Sequence, residues 1–220
     1  MKILFIIFFL FAASSLVAQQ DTGAHRNVIV PVPVEGLGGN NRFVLSTLIK
    51  KSFTPTSKFG LLSVTNAASS YKNELQEFNF INVTQVSYNL YKGFGVTAGI
   101  SLNNVSGFSP TAGIQYAYTT RTVLLVIAPD ISLSNSHNVE GVFVSEYRPV
   151  LKMNLSLYTR LQGFYNYDMK DKSHQRSYIN TRLGLSFGLF TFGAGANFDW
   201  YGPLKIYKGN YGPFLRYSFL

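Results

Sequence analysis

The chain contains no cysteine among its 220 residues, and only 13% of its residues are charged. The absence of cysteine excludes disulfide scaffolds, thiolate metal sites and acylation at an N-terminal cysteine. Beyond the N-terminal apolar run, no unbroken apolar stretch is longer than the seven residues from Val123 to Pro129. That stretch is far shorter than the ~20 residues that a membrane-spanning helix needs. A polytopic helical membrane protein is therefore excluded as well.

The low charge content separates two remaining classes of exported β-protein. A soluble domain usually has about 25% charged residues, and a soluble β-sandwich carries them on its outer face. This chain has about half that share, together with 15% aromatic residues and 19 glycines. A membrane barrel needs no charged exterior, so composition favours it. The formal net charge of +9 is interpreted as Lys and Arg in turns, with attraction to lipid phosphates at the rims as the functional alternative.

The first 18 residues have the layout of a secretory signal peptide. Lys2 supplies the positive charge, Ile3 to Ala13 form the apolar run, and Ser14 to Ala18 are the small residues before cleavage. An uncleaved membrane anchor is the alternative, but the apolar run is too short for a spanning helix. Export also makes nucleic acid an unexpected partner.

A period of two dominates the last third of the chain. From Ile179 to Leu189, and again from Phe190 to Trp200, apolar residues alternate with Gly, Ser, Asn, Thr and charged residues. This period predicts strands with one apolar and one polar face, and its single slip at Leu189–Phe190 predicts a tight turn. Strands are predicted at 41–53, 57–67, 79–91, 94–103, 108–119, 121–133, 139–149, 153–167, 175–188, 190–201 and 210–219.

A barrel with both termini on one side has an even number of strands. The twelfth candidate is His25 to Val34, whose alternation is weak and in which Pro31 and Pro33 remove ladder donors. We predict an all-β, antiparallel up-and-down transmembrane β-barrel of about 12 strands. Ten strands are the fallback, in which 19–56 form an extension or a plug. The predicted organisation is a signal peptide at 1–18, an N-terminal segment at 19–40 that is a weak first strand or a periplasmic extension, and the barrel at 41–220.

The connections are predicted to alternate between short turns, such as 92–93 and 189–190, and longer polar loops, such as 67–77 and 201–209. Short periplasmic turns and longer outer loops are typical of outer-membrane barrels. Aromatic residues cluster near the strand ends, and Tyr178 and Tyr201 are among those predicted for an outer aromatic belt.

Charge decides which face of each strand meets lipid. Arg160, Arg182, Asp199 and Arg216 all fall on the Gly/Asn/Ser face of the last four strands. An Arg at the lipid midplane costs about 2–4 kcal/mol, so this face is predicted to line the lumen. Glu146 is a further lumen candidate at the level of the three arginines. The strands at 57–67, 121–133 and 139–149 alternate poorly and give no prediction of their faces.

The leader, the alternating strands and the terminal strand from Phe214 to Leu220 resemble a bacterial outer-membrane β-barrel protein. The resemblance is architectural and covers nearly all of the mature chain. It implies an outer-membrane location and contact with outer-membrane lipids and lipopolysaccharide. It also implies recognition by the barrel-assembly machinery through the C-terminal strand. Such proteins commonly end in an aromatic residue, whereas here Phe219 is penultimate and Leu220 is last.

Residues that could carry chemistry are few. Ser173, His174 and Ser177 form a hydroxyl–imidazole group at the predicted outer rim, but the sequence shows no third orienting group. His137 with His174 lacks a carboxylate at metal-ligand spacing, so no metal site and no cofactor are predicted.

We therefore expect a non-enzymatic outer-membrane barrel with a small or occluded polar lumen, and the passage of small solutes or lipids stays open. The alternatives are an outer-membrane lipid-modifying hydrolase acting near His174, and a secreted soluble β-protein that binds ligands. The sequence predicts no oligomeric state.

Overall fold

A computed structural model of the chain describes residues 31–72, 78–104, 107–135 and 137–219. The signal-peptide prediction at 1–18, and the part of the His25–Val34 strand before residue 31, lie outside these residues. Within the described ranges, no helix is long and apolar enough to cross a membrane. The strands are β1 (Val32–Gly38), β2 (Arg42–Ser52), β3 (Phe59–Ser70), β4 (Asn79–Tyr91), β5 (Phe94–Asn103), β6 (Gly107–Thr119), β7 (Val123–Ser132), β8 (Val139–Tyr147), β9 (Val150–Lys152), β10 (Leu155–Asp168), β11 (Ser173–Phe187), β12 (Phe190–Tyr201) and β13 (Ile206–Phe219).

Twelve of these strands form one closed antiparallel barrel with up-and-down topology. Each barrel strand pairs with the barrel strands before and after it in the chain, and β13 returns to pair with β1. The thirteenth strand, the three-residue β9, pairs only with the start of β10. The predicted twelve-strand barrel is therefore confirmed, and the ten-strand fallback is wrong.

The first described strand reaches further along the chain than the sequence predicted. Within the described residues, β1 covers the predicted segment from Val32 to Val34 and continues to Gly38. Pro31 precedes the strand, and Pro33 is its second residue, opposite Ser218 of β13. Ladder donors are therefore missing only where the strand begins, which is where a sheet tolerates proline.

The loops at the two ends of the barrel differ less in length than the sequence predicted. We call the end where β1 begins and β13 finishes the terminal end, and the opposite end the far end. Connections run from two to seven residues at the terminal end and from three to eight residues at the far end. The predicted contrast in loop length is small because strands continue into segments predicted as loops: β3 reaches Ser70, β11 begins at Ser173 and β13 begins at Ile206.

The outer face of the barrel is largely apolar, with a hydrogen-bonded polar patch of Ser63, Thr65, Asn82 and Thr84 on β3 and β4. Leu183, Phe192 and Leu215 are each more than half exposed although they lie within long strands. A soluble monomer rarely presents a continuous apolar surface of this kind. Neighbouring strands pair aromatic rings near the terminal end: Phe59 with Tyr88, Phe94 with Tyr116, and Phe190 with Tyr217, at centroid distances of 5.0, 4.6 and 4.8 Å.

Two residues predicted for the outer aromatic belt face the interior instead. Tyr178 is 1% exposed and its hydroxyl accepts a hydrogen bond from Gln162 Nε2 at 3.0 Å. The Tyr201 hydroxyl lies 3.3 Å from Asp199 Oδ1. Both rings therefore fill the barrel and do not belong to an outer belt.

The strands whose faces the sequence did not reveal bury apolar side chains inside the barrel. In β7, Leu124 and Val126 are buried inside the barrel, while Ile127 and Ile131 are exposed on the outer face. β3 and β8 also bury apolar side chains, including Leu62 and Val144. These strands lack a regular alternation of polar and apolar residues because many of their inward side chains form a packed apolar core. That core consists of Leu48, Leu62, Val64, Ile81, Val83, Leu124, Val126, Ala128, Val142, Val144, Phe164 and Tyr178.

The adjacent residues Leu61 and Leu62 allow the two apolar faces to be compared. Leu62 is fully buried in the core, so Leu62→Ala is expected to lower the free energy of unfolding by about 2–5 kcal/mol, including a cavity term. Leu61→Ala removes the same carbons from the outer face and leaves no cavity, so its cost should be smaller. Denaturant unfolding of both variants in lipid vesicles measures the difference. Equal losses would mean that the interior around Leu62 is loosely packed.

Candidate functional site

The centre of the interior holds a buried carboxylate between two guanidinium groups. Glu35 Oε1 accepts hydrogen bonds from Arg160 Nη2 at 2.6 Å and from Arg182 Nε at 2.7 Å, and all three side chains are at most 2% exposed. Ser46 Oγ donates to the same oxygen at 3.2 Å. Arg182 Nη1 also donates to Asn197 Oδ1 at 2.7 Å. The Glu35–Arg160–Arg182 group therefore links β1, β10, β11 and β12 across the barrel.

A second group is built around Glu146. Its Oε1 accepts hydrogen bonds from Arg216 Nη1 at 3.0 Å and from the Tyr158 hydroxyl at 2.8 Å. Arg216 also contacts the Tyr158 hydroxyl, and its guanidinium lies 4.9 Å from the ring centroid. Arg148 Nε is 3.7 Å from Glu146 Oε2. Buried charges are tolerated when they are paired in this way.

A third group lies close to the far end. Asp199 accepts hydrogen bonds from Arg42 and, at 3.0 Å, from Arg176. The Tyr201 hydroxyl accepts from Arg42 Nη1 at 3.1 Å. Asp199 is thus paired with two guanidinium groups.

The structure places all five predicted lumen candidates in the interior, each at most 7% exposed. It brings Arg160 and Arg182 together at Glu35, sets Arg216 against Glu146, and separates Asp199 toward the far end.

Sequence reasoning missed Glu35, the carboxylate at the centre of the largest group. It lies in β1, the strand that alternates least, so it carried no face prediction. A signal existed, because Glu35 is the only carboxylate between residues 22 and 73 and its neighbours Val34 and Leu37 are apolar. An isolated charge in an apolar strand of a barrel needs a partner.

Cavities open at the two ends, and side chains fill the space between them. At the far end a cavity of about 320 Å³ is lined by Arg42, Lys72, Lys208 and neighbouring polar residues. A cavity of about 150 Å³ at the terminal end includes Lys50 and Gln115. A small cavity of about 30 Å³ lies beside Asn166, Arg176 and Tyr201. None of these three is lined by residues from both ends.

A separate arrangement lies on the outer face near the far end. Ser177 Oγ is 3.0 Å from His174 Nε2, and His174 Nδ1 is 2.8 Å from the carbonyl oxygen of Gly202. A carbonyl oxygen only accepts, so in neutral His174 the proton sits on Nδ1. Nε2 is then the acceptor, and the Ser177 hydroxyl donates to it. The orienting group that the sequence did not show is thus a backbone carbonyl, while Ser173 pairs with Gln175.

A β-bulge explains why His174 faces outward. In the β10–β11 ladder Asn166 is opposite Arg176 but Tyr167 is opposite His174, so Gln175 is the extra residue. Without the bulge His174 would follow Arg176 to the inner face. Ser177 is opposite Tyr165 and Trp200, on the outer face. The His174–Ser177 pair therefore lies on the outer side of the sheet, where Ser177 is half-buried and the His174 ring is 5% exposed and packs 5.7 Å from the Tyr165 ring.

Within the described ranges no group of three His, Cys, Asp or Glu residues could hold a metal ion. His137 lies in the turn between β7 and β8 with a positive φ of 48° and is not brought to His174 by any described contact.

No family model matches the chain, and no curated protein matches it. Among solved structures, the NanC porin aligns with 86% of this chain and 100% of its own at 8% identity and a TM-score of 0.45. OmpT of Vibrio cholerae aligns with 80% of this chain and 64% of its own at 10% identity and a TM-score of 0.36. The loop L8 deletion mutant of the same OmpT aligns with 84% of this chain and 78% of its own, at 11% identity and a TM-score of 0.34. At these scores the similarities carry no functional argument, and the fold rests on the strand pairing described above.

Proposed function

We propose that the chain is a non-enzymatic outer-membrane β-barrel whose interior is closed to solutes. One observation carries the proposal: an apolar core and the Glu35–Arg160–Arg182 group fill the interior between the cavities of the two ends. An open aqueous channel would leave solvated side chains along its wall. Here Leu62, Val126 and Val144 are each fully buried.

The outer surface supports the membrane part of the proposal. It presents large apolar side chains along the strands and aromatic pairs near the terminal end. An apolar surface of this kind is compatible with lipid tails, whereas in water it would promote aggregation. The proposed surroundings are outer-membrane lipids and lipopolysaccharide, with assembly through β13.

Fractionation followed by reconstitution tests the proposal. The protein is expected in the outer-membrane fraction with heat-modifiable mobility, and liposomes that contain it are expected to swell in sugar solutions no faster than empty liposomes. A known porin in the same lipid serves as the positive control. Release with the periplasmic contents would favour the soluble β-protein, and rapid swelling would contradict the closed interior.

A second candidate function is favoured by the His174–Ser177 pair. A serine hydroxyl that donates to an imidazole whose other nitrogen is fixed is the arrangement of a nucleophile and its general base. Its position on the outer side of the sheet points to an acyl ester of a membrane lipid as substrate. A Ser177→Ala variant that keeps full hydrolytic activity would rule this function out.

A further inference from the structure

Two buried carboxylates at the far end differ from all the ion-paired groups described above. Asp130 of β7 and Glu140 of β8 are directly opposite each other in the ladder. They are 5% and 3% exposed. No ion pair joins either of them to a cation within the described ranges, whereas Glu35, Glu146 and Asp199 each contact at least two guanidinium groups.

The side chains that contact the two carboxylates are neutral: the amides of Gln85 and Asn166 and, at Glu140, the hydroxyl of Ser101. Gln85 Nε2 donates to Asp130 Oδ2 at 2.5 Å, and Asn166 Nδ2 donates to Glu140 Oε1 at 2.6 Å. The nearest cation along the same row of the sheet is Arg176, whose guanidinium is paired with Asp199. Two adjacent carboxylates without a compensating cation carry a desolvation penalty of several kcal/mol per ion.

The second oxygen of each carboxylate is buried without a hydrogen-bond partner, and so are neighbouring neutral oxygens. Gln85 is 1% exposed. Its amide nitrogen donates to Asp130, but its Oε1 has no hydrogen-bond partner. The buried unpartnered oxygens on this wall include Asp130 Oδ1, Glu140 Oε2, Gln85 Oε1, Thr97 Oγ1 and Thr111 Oγ1. Buried polar atoms nearly always have a partner, so this concentration on one wall points to a ligand.

Two glycines create the space in which these side chains meet. A Cβ at Gly99 would lie 2.9 Å from Gln85 Cγ, and a Cβ at Gly113 would lie 2.7 Å from Asp130 Cβ. Gln85 of β4 and Asp130 of β7 therefore lie over β5 and β6 and reach each other across two intervening strands. The wall is shaped to bring the Gln85 amide group to the carboxylate pair.

We propose that Asp130, Glu140 and Gln85 form a binding site for Ca²⁺. The donors are carboxylate and amide oxygens with hydroxyl oxygens on the same wall, which is the oxygen-only set that hard cations take. The mixture of donors from β4, β7 and β8 suits the flexible coordination of Ca²⁺ better than the strict octahedron of Mg²⁺. The charge of the ion compensates the two carboxylates. The site is close to the far end, because Glu140 is the second residue of β8.

Calorimetry and thermal unfolding of the full chain, folded in detergent micelles after chelator treatment, test the site. Addition of CaCl₂ is expected to release or absorb binding heat in a one-to-one titration and to raise the unfolding midpoint. Asp130→Asn and Glu140→Gln are expected to weaken Ca²⁺ binding by more than the roughly 10–100-fold that the loss of an outer-shell partner costs. Asp171→Asn, at an exposed turn carboxylate, is the matched control and should keep the full response.

The wild-type measurement alone can overturn the proposal, so it does not depend on whether the variants fold. If CaCl₂ gives no binding heat and does not move the midpoint, the site does not exist. The same conclusion follows if the midpoint depends on pH but not on Ca²⁺, because the pair would then share a proton. A full Ca²⁺ response in the Asp130→Asn, Glu140→Gln double variant would also contradict it.

Discussion

Glu35→Gln is expected to lower the free energy of unfolding by about 3–5 kcal/mol, the cost of leaving a buried charge uncompensated. The substitution preserves shape but removes the charge between Arg160 and Arg182, whose nitrogens lie 2.6 and 2.7 Å from Glu35 Oε1. The two buried guanidinium groups would then lie beside each other without a compensating negative charge. Denaturant unfolding in lipid vesicles, followed by heat-modifiable mobility, measures the loss.

A charge-free replacement provides the control for this prediction. Changing Glu35, Arg160 and Arg182 together to Leu, Met and Met removes every charge of the group, and such replacements are often neutral or stabilising. The triple variant should therefore be more stable than Glu35→Gln alone. A Glu35→Gln variant within about 0.5 kcal/mol of wild type, the usual range for surface changes, would mean that water reaches the group.

Ser177→Ala is expected to abolish any hydrolysis of acyl esters by this chain. In the proposed reaction Ser177 Oγ attacks the ester carbonyl carbon, and its proton passes to His174 Nε2. His174 then protonates the departing alkoxide, and water releases the acyl group by the reverse sequence. His174→Gln should lower the rate by about 10²–10⁴-fold, which is the contribution of a positioned base.

Ser173→Ala is the matched control, because Ser173 is a neighbouring hydroxyl that contacts Gln175 and not His174. The assay measures fatty-acid release from phospholipid in mixed micelles. Activity in wild type and Ser173→Ala but not in Ser177→Ala supports the hydrolase. No release by the wild type leaves the closed, non-enzymatic barrel as the function.

The barrel could be predicted from the sequence where one face of a strand is polar. Arg160, Arg182 and Arg216 lie in strands whose charges all fall in one phase, and each of them is buried in the interior. β3, β7 and β8 could not be interpreted, because apolar side chains such as Leu62, Val126 and Val144 fill the inner face that was expected to be polar. Alternation between polar and apolar residues reveals a strand only where its two faces differ in polarity. Where apolar residues occur on both faces, the alternation is absent.

The candidate sites escaped prediction for related reasons. Asp130 and Glu140 are in β7 and β8, the strands without a readable face, and their adjacency depends on the register between those strands. The outward position of His174 depends on the bulge at Gln175, and strict alternation from Arg176 would place it inside. Glu35 lies in β1, whose start was hard to predict because Pro31 and Pro33 remove ladder donors.

The most direct test of the closed interior is the ionic current through planar bilayers that contain the wild-type protein. Ions are smaller than any nutrient solute, so a barrel filled by its core and by the Glu35–Arg160–Arg182 group should give no stepwise current at any applied voltage that the bilayer tolerates. Insertion is verified by heat-modifiable mobility of protein recovered from the same vesicles. Reproducible single-channel steps from the wild-type protein would contradict the closed interior.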